Sequence, residues 1–144
     1  MGLKIPPRSR VALDTPVLIY FLERHPRFYG EVREIFEHME EGAIHGVLSS
    51  LALTELLVPA FRAGQGDKAR HLLALLSGFP NLDILDVSVP IAVAAARLRG
   101  EYMLNTPDAL HAATALQAQA SVLITNDKDF LGLEPAGLKI ALLE

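Results

Sequence analysis

Five short apolar runs, each bounded by breakers and separated from the next by helical spacing, constrain this chain more than any other feature. The runs are "RVAL" (10–13), "IHGVLS" (44–49), "LDIL" (82–85), "SVLIT" (121–125) and "LKIAL" (138–142). Helical patterns occupy 16–23, about 30–41, 50–63, 67–78, 89–103 and 107–119. Strands that alternate with helices predict βαβ units and a parallel sheet covered on both faces. The expected architecture is therefore α/β, with helices on both faces of a central, mostly parallel five-stranded sheet and right-handed crossovers. Ligands of such sheets bind beyond the carboxyl ends of the strands.

A length of 144 residues predicts a single domain spanning 1–144. There is no cysteine, which excludes disulfides and thiolate metal sites. The five histidines lack the spacing of a zinc site. The opening "MGLKIPPRSR" has no apolar segment of the secretory kind. The longest uncharged run, "ALHAATALQAQASVLITN", carries a histidine, two glutamines and an asparagine, so no membrane span is expected and the cytoplasm is the expected location. A formal net charge of −4 excludes a protein that coats nucleic acid by bulk electrostatics. Nucleic acid remains open as a substrate if bound cations supply positive charge.

The acids fall at telling places. Asp14 ends the first strand run, inside the otherwise apolar "RVALDTPVLIYFLE". Thr15 and Pro16 after it read as the cap and first residue of a helix, which frees the Asp14 carboxylate; in the ordinary alternative Asp14 is itself the cap. Glu55 has Leu51, Ala52 and Val58 as helical neighbours, an apolar lining unlike that of a solvated glutamate. Pro59 removes the amide that would bond its carbonyl, so a local kink is expected. Asp108 follows Thr106 and Pro107, read as cap and first helical residue, in the first turn where an anion is favoured. His111, one turn on, reads as a packing residue or a partner of an acid. Asp127 and Asp129 follow the fourth strand run, where turn duty is the ordinary role of either.

Taken singly, each acid is unremarkable. Gathered at the carboxyl-end side of one sheet, Asp14, Glu55, Asp108 and Asp127 would repel one another unless cations bind. An all-oxygen set suits Mg²⁺ or Mn²⁺, which can activate water for attack at phosphorus. These four acids equal the whole formal net charge of the chain, and two divalent cations would neutralise them.

The segments "ALDTPVLIYFLE", "SSLALTELL", "TPDALHAATAL" and "VLITNDKDF" resemble, in order and over nearly the whole chain, the PIN domain, and within it the VapC-type toxins of bacterial toxin–antitoxin pairs. The most specific stretch is "PDALHAATA" followed by "LITNDKDF". The resemblance implies a PIN-like sheet, a Mg²⁺- or Mn²⁺-dependent endoribonuclease, a homodimer, and a cognate antitoxin that blocks the site. It maps the four family acids onto Asp14, Glu55, Asp108 and Asp127, as metal ligands and catalytic groups. Thr125 matches a hydroxyl that contacts an acid or a phosphate, and His111 and Asp129 stand as possible supporting residues. Pro16 departs from the asparagine or serine usual in the family, which removes a side-chain hydrogen bond near Asp14. Two alternatives stand beside this reading: a catalytically silent PIN-like interaction module, and a receiver-type phosphoacceptor domain using Asp86.

Overall fold

The structure, a computed structural model, describes residues 5–144, so part of the opening segment read for a leader lies outside it. Five strands form one sheet: β1 (Arg10–Leu13), β2 (His45–Ser49), β3 (Leu82–Leu85), β4 (Val122–Thr125) and β5 (Ile140–Leu142). Their order is β3-β2-β1-β4-β5, and all four pairings are parallel, so the sheet expected to be mostly parallel is wholly so. Six helices connect them: α1 (Thr15–Leu22), α2 (Tyr29–Glu40), α3 (Leu51–Arg62), α4 (Gly66–Ser77), α5 (Val89–Tyr102) and α6 (Thr106–Gln117).

Alternation along the central strands divides the interior in two. Val11, Leu13, Val122 and Ile124 face one core with Val17, Leu18, Val32, Phe36, Leu56 and Leu76. Ala12 and Leu123 face the other, with residues of α5 and α6 and with Phe130 and Leu133. This is the three-layer arrangement expected from strands buried on both faces. Burial follows position: every residue of β4 is buried, whereas edge strands β3 and β5 are largely part-exposed. Among the described residues no helix is long and apolar enough to cross a membrane.

The strand order separates this chain from receiver domains, whose flavodoxin-like order is 2-1-3-4-5. β3 is here an edge strand, and Asp86 beyond it does not line the cleft that gathers the other acids. The phosphoacceptor alternative falls on this topology.

Two of the three proline-led helix starts, those of α1 and α6, lie one residue earlier than the sequence suggests. Asp14, not Thr15, caps α1: its backbone is extended and its carboxylate accepts the Thr15 amide. Asn105, not Thr106, caps α6, accepting the Asp108 amide at 2.9 Å. Asparagine and aspartate outrank threonine as caps, and a proline one place further in still occupies the turn whose amides have no helical partner. Helix α3 continues through Pro59 to Arg62.

A 3₁₀ segment, Lys128–Ala136, was not visible in the sequence. It carries Phe130, fully buried, into the second core immediately after Asp127. Phe130→Ala should therefore cost about 3–5 kcal/mol of stability, as truncation of a buried phenylalanine does. Denaturant unfolding of the variant measures it.

Candidate active site

The end of β1 places the first acid. The Asp14 amide still donates to the Ile124 carbonyl of β4 at 3.0 Å, so its backbone is fixed by the sheet before α1 begins. Its Oδ1 accepts the Thr15 amide at 2.9 Å, and its Oδ2 accepts the Thr125 hydroxyl at 2.7 Å. The side chain is buried, and burial pushes its carboxyl above the ordinary value of 3.8, against the lowering effect of the Thr125 hydrogen bond and the neighbouring His111. Asp14 is thus a helix cap and a cleft-lining acid at once; the two roles proposed for it are not exclusive.

Helices α3 and α6 bring in a second group. Glu55 Oε1 accepts the Thr15 hydroxyl at 2.7 Å and lies 2.6 Å from His111 Nε2, which is also 3.2 Å from Thr15 Oγ1. His111 Nε2 stands 4.0 Å from Asp14 Oδ1. The imidazole is buried, so it orients Glu55 from beneath while the glutamate side chain, 37% exposed, opens to the cleft. The apolar neighbours of Glu55 suggested a less exposed group; its far end emerges where the sheet ends. Sequence reasoning missed the hydroxyl of Thr15, which was assigned only to capping. The signal was present: a hydroxyl directly after a strand-end acid.

Asp108, in the first turn of α6, and Asp127, just after β4, complete the wall. The open cleft of about 380 Å³ is lined by Asp14, Thr15, Pro16, Glu55, Asp108, Asn126, Asp127 and Lys128. All four acids selected from the sequence meet there. Thr125 lies beneath, its hydroxyl donating to Asp14 while its oxygen accepts the Asp127 amide at 3.0 Å. Asp129 is exposed and outside the cleft lining. Turn duty belongs to Asp127, whose Oδ1 accepts the Asp129 amide at 2.9 Å. Of the two acids for which turn duty was open, Asp127 therefore performs it, and Asp129 supplies the amide. At Pro16 the hydroxyl nearest Asp14 along the chain is that of Thr15 instead.

Charge crowding is visible at Asp108. Burial first, then the carboxylates of Asp14 and Asp127, push its carboxyl up to about 6. A cation among these oxygens would relieve that repulsion, which is how the donor set fits a hard divalent ion. Among the described residues no three histidine, aspartate or glutamate side chains are gathered closely enough to hold an ion by themselves. An open wall of this kind suits Mg²⁺, which retains several waters and needs only one or two carboxylates, better than an ion demanding a closed cage.

The sequence matches the PIN domain over residues 11–134, and the chain belongs to that family. Its fold is shared with solved toxin–antitoxin proteins. A toxin–antitoxin complex from Klebsiella pneumoniae is 26% identical, with 91% of this chain and 95% of that one covered at a TM-score of 0.66. VapBC2 from Rickettsia felis, bound to a DNA fragment from its promoter, is 21% identical, with 94% and 99% covered at a TM-score of 0.72. VapC20 of Mycobacterium tuberculosis, a Sarcin-Ricin loop cleaving toxin, is 15% identical, with 89% and 95% covered at a TM-score of 0.67. No curated protein matches the sequence.

The raised carboxyl of Asp108 has a consequence for stability. Between pH 3.8 and about 6 the folded protein holds a proton that the unfolded chain has released, so stability from this group falls as pH rises through that window. Asp108→Asn removes the effect. In metal-free buffer the variant should melt close to wild type near pH 3.8 and progressively above it as pH rises to about 6, with no further divergence beyond. Paired thermal melts across the range read the difference.

Proposed function

We propose that the protein is a Mg²⁺- or Mn²⁺-dependent endoribonuclease and the toxin of a VapBC-type pair. The observation that carries the reading is the convergence of Asp14, Glu55, Asp108 and Asp127 on one open cleft at the carboxyl ends of the strands. Membership of the PIN family and the shared fold of toxin–antitoxin proteins support it. Asp14 and Asp108 are the metal ligands assigned first, with Glu55 and Asp127 completing the site. A divalent ion there would supply positive charge for activating water and for the oxygens of an in-line displacement at phosphorus.

The chain's own residues prepare that chemistry. Thr125 and the Thr15 amide hold the Asp14 carboxylate in one orientation, and His111 with the Thr15 hydroxyl does the same for Glu55 Oε1. Such fixed carboxylates need no reorganisation as charge develops. Asp127 retains one oxygen for the cleft while the other caps the 3₁₀ turn. Attack by water forms the new P–O bond and breaks the bond to the 3′ oxygen, which takes a proton. The products carry 5′-phosphate and 3′-hydroxyl ends.

An apolar groove of about 200 Å³, lined by Ile19, Leu22, Leu56 and Leu72, opens beside Glu55. It is the surface on which an antitoxin segment would occlude the cleft. For the homodimer, exposed apolar side chains stand on α3 and α4, at Phe61, Leu73 and Leu75. A second such face is at the start of α5, where Val89 and Val93 are 77% and 61% exposed close to Val87. We assign the dimer contact to this face.

Purified protein should cleave single-stranded RNA with Mg²⁺ or Mn²⁺ and lose all activity in EDTA. Asp127→Asn should lower turnover by orders of magnitude at an unchanged melting temperature, because asparagine can still accept the Asp129 amide. Asp129→Asn should keep both activity and stability, within about 0.5 kcal/mol, as exposed substitutions do. Cyclic-phosphate ends, or activity in EDTA, would refute the mechanism. Light scattering should give a dimer at tens of micromolar, and Val89→Asp with Val93→Asp should return a folded monomer.

A further inference from the structure

The connection between α1 and α2 holds an aromatic and cationic cluster that the acidic cleft does not use. Tyr20, His25 and Phe28 form a closed set: the Tyr20 and Phe28 rings stack at 5.0 Å, and His25 lies 4.6 Å from Tyr20 and 5.1 Å from Phe28. The Arg27 guanidinium sits over the Phe28 ring, 5.0 Å from its centroid. The set is joined to the cleft directly, because Asn126, a cleft-lining residue, donates its side-chain amide to the Tyr20 hydroxyl at 2.5 Å.

A plain packing role explains only part of this. Phe28 and Tyr20 are part-buried against the first core, and the turn is already closed by backbone bonds from His25 to Tyr20 and from Tyr29 to His25. His25 Nδ1 accepts the amides of Arg27 and Phe28, which places the proton of the neutral ring on Nε2. No protein partner for Nε2 is found among the described residues. Arg24 adopts a left-handed backbone (φ 52°) just after the helix end, where glycine is the default. The chain thus carries an exposed arginine at a conformational cost. Neither Arg24 nor Arg27 is ion-paired among the described residues, whereas Arg33 and Arg70 are tied to Glu37 and Asp67.

Placed beside a wall of carboxylates, the exposed Arg27 guanidinium backed by the Phe28 and Tyr20 rings is a surface on which a base of a single nucleic-acid strand can stack, and unpaired cations suit its backbone. We propose that Arg27, Phe28, His25 and Tyr20 form a stacking platform for a nucleobase of single-stranded RNA flanking the scissile phosphate, with Arg24 and Lys128 contacting phosphates on the way to the cleft. The proposal rests on the ribonuclease reading and deepens it by locating where the substrate strand leaves the acids. It also accounts for how a chain of net charge −4 holds a polyanion: the cations are local and unpaired rather than numerous.

The test measures binding of a short fluorescein-labelled single-stranded RNA by anisotropy in an Asp108→Asn background with Mg²⁺ present. Arg27→Ala and Phe28→Leu should each weaken binding about tenfold, the loss expected for one stacked base. Arg27→Lys keeps the charge but not the plane, so it should weaken binding with an unchanged salt slope, whereas Arg27→Ala should lower that slope by about one. Affinities within twofold of the parent for all three folded variants would overturn the platform and make the cluster a packing device. Cleavage is assayed separately with Asp108 restored. Cleavage without platform-dependent binding sinks the platform and leaves the nuclease; platform-dependent binding without cleavage by any divalent ion sinks the nuclease and leaves the platform.

Discussion

The carboxylate of Asp14, buried at the end of the central strand, is the group on which the site is built. Both of its oxygens are engaged, one by the Thr15 amide and one by the Thr125 hydroxyl, so its position is set by two adjacent strands and a helix start together. A buried acid costs stability unless bonded or balanced, and here the protein meets only part of that cost. Burial keeps its carboxyl above the ordinary range, and its charge in turn raises Asp108. The Thr125 hydrogen bond and the neighbouring His111 offset the burial of Asp14 only in part, and negative charge stays crowded at the rim. An α/β sheet with acids at one end thus concentrates negative charge at a single rim.

The all-parallel sheet makes this possible at small size. Five strands ending on the same side deliver their following residues to one rim, and the order β3-β2-β1-β4-β5 puts β1 and β4 next to each other. Asp14 and Thr125 therefore meet although 111 positions separate them. Helices α3 and α6, on opposite faces, reach the same rim from both sides, which is how Glu55 and His111 come within 2.6 Å. His111 occupies the seam between the two cores. It links α6 to α3 through Glu55 and carries a buried Nδ1 with no partner among the described residues, a local penalty that the core alone does not call for.

Much of this was legible beforehand. The apolar runs at 10–13 and 82–85 coincide with β1 and β3 residue for residue, because breakers bound them on both sides and the buried sheet needs apolar residues on both faces. The helix starts at Asp14 and Asn105 were each misread by one residue, because a proline marks the first turn without fixing which neighbour caps it. The 3₁₀ segment Lys128–Ala136 was invisible because its interior glycine and proline read as loop, while its shape depends on Phe130 and Leu133 finding the second core. Turn duty stayed open between Asp127 and Asp129 in the sequence; both acids neighbour the same turn, and only the backbone path selects Asp127.

By itself the sequence determined the α/β class, the end of the sheet at which the acids gather, and the four acids that line the cleft. Period and punctuation carry that information locally, since a strand run followed by an acid reads the same in any tertiary setting. Only the tertiary structure decided which oxygens are already bonded, that Thr15 and His111 hold Glu55, that the Asp108 carboxyl is pushed to about 6, and that Tyr20 connects an aromatic turn to Asn126. These depend on distances between segments remote in the chain, and the strand order that sets those distances leaves no mark on the residues it brings together.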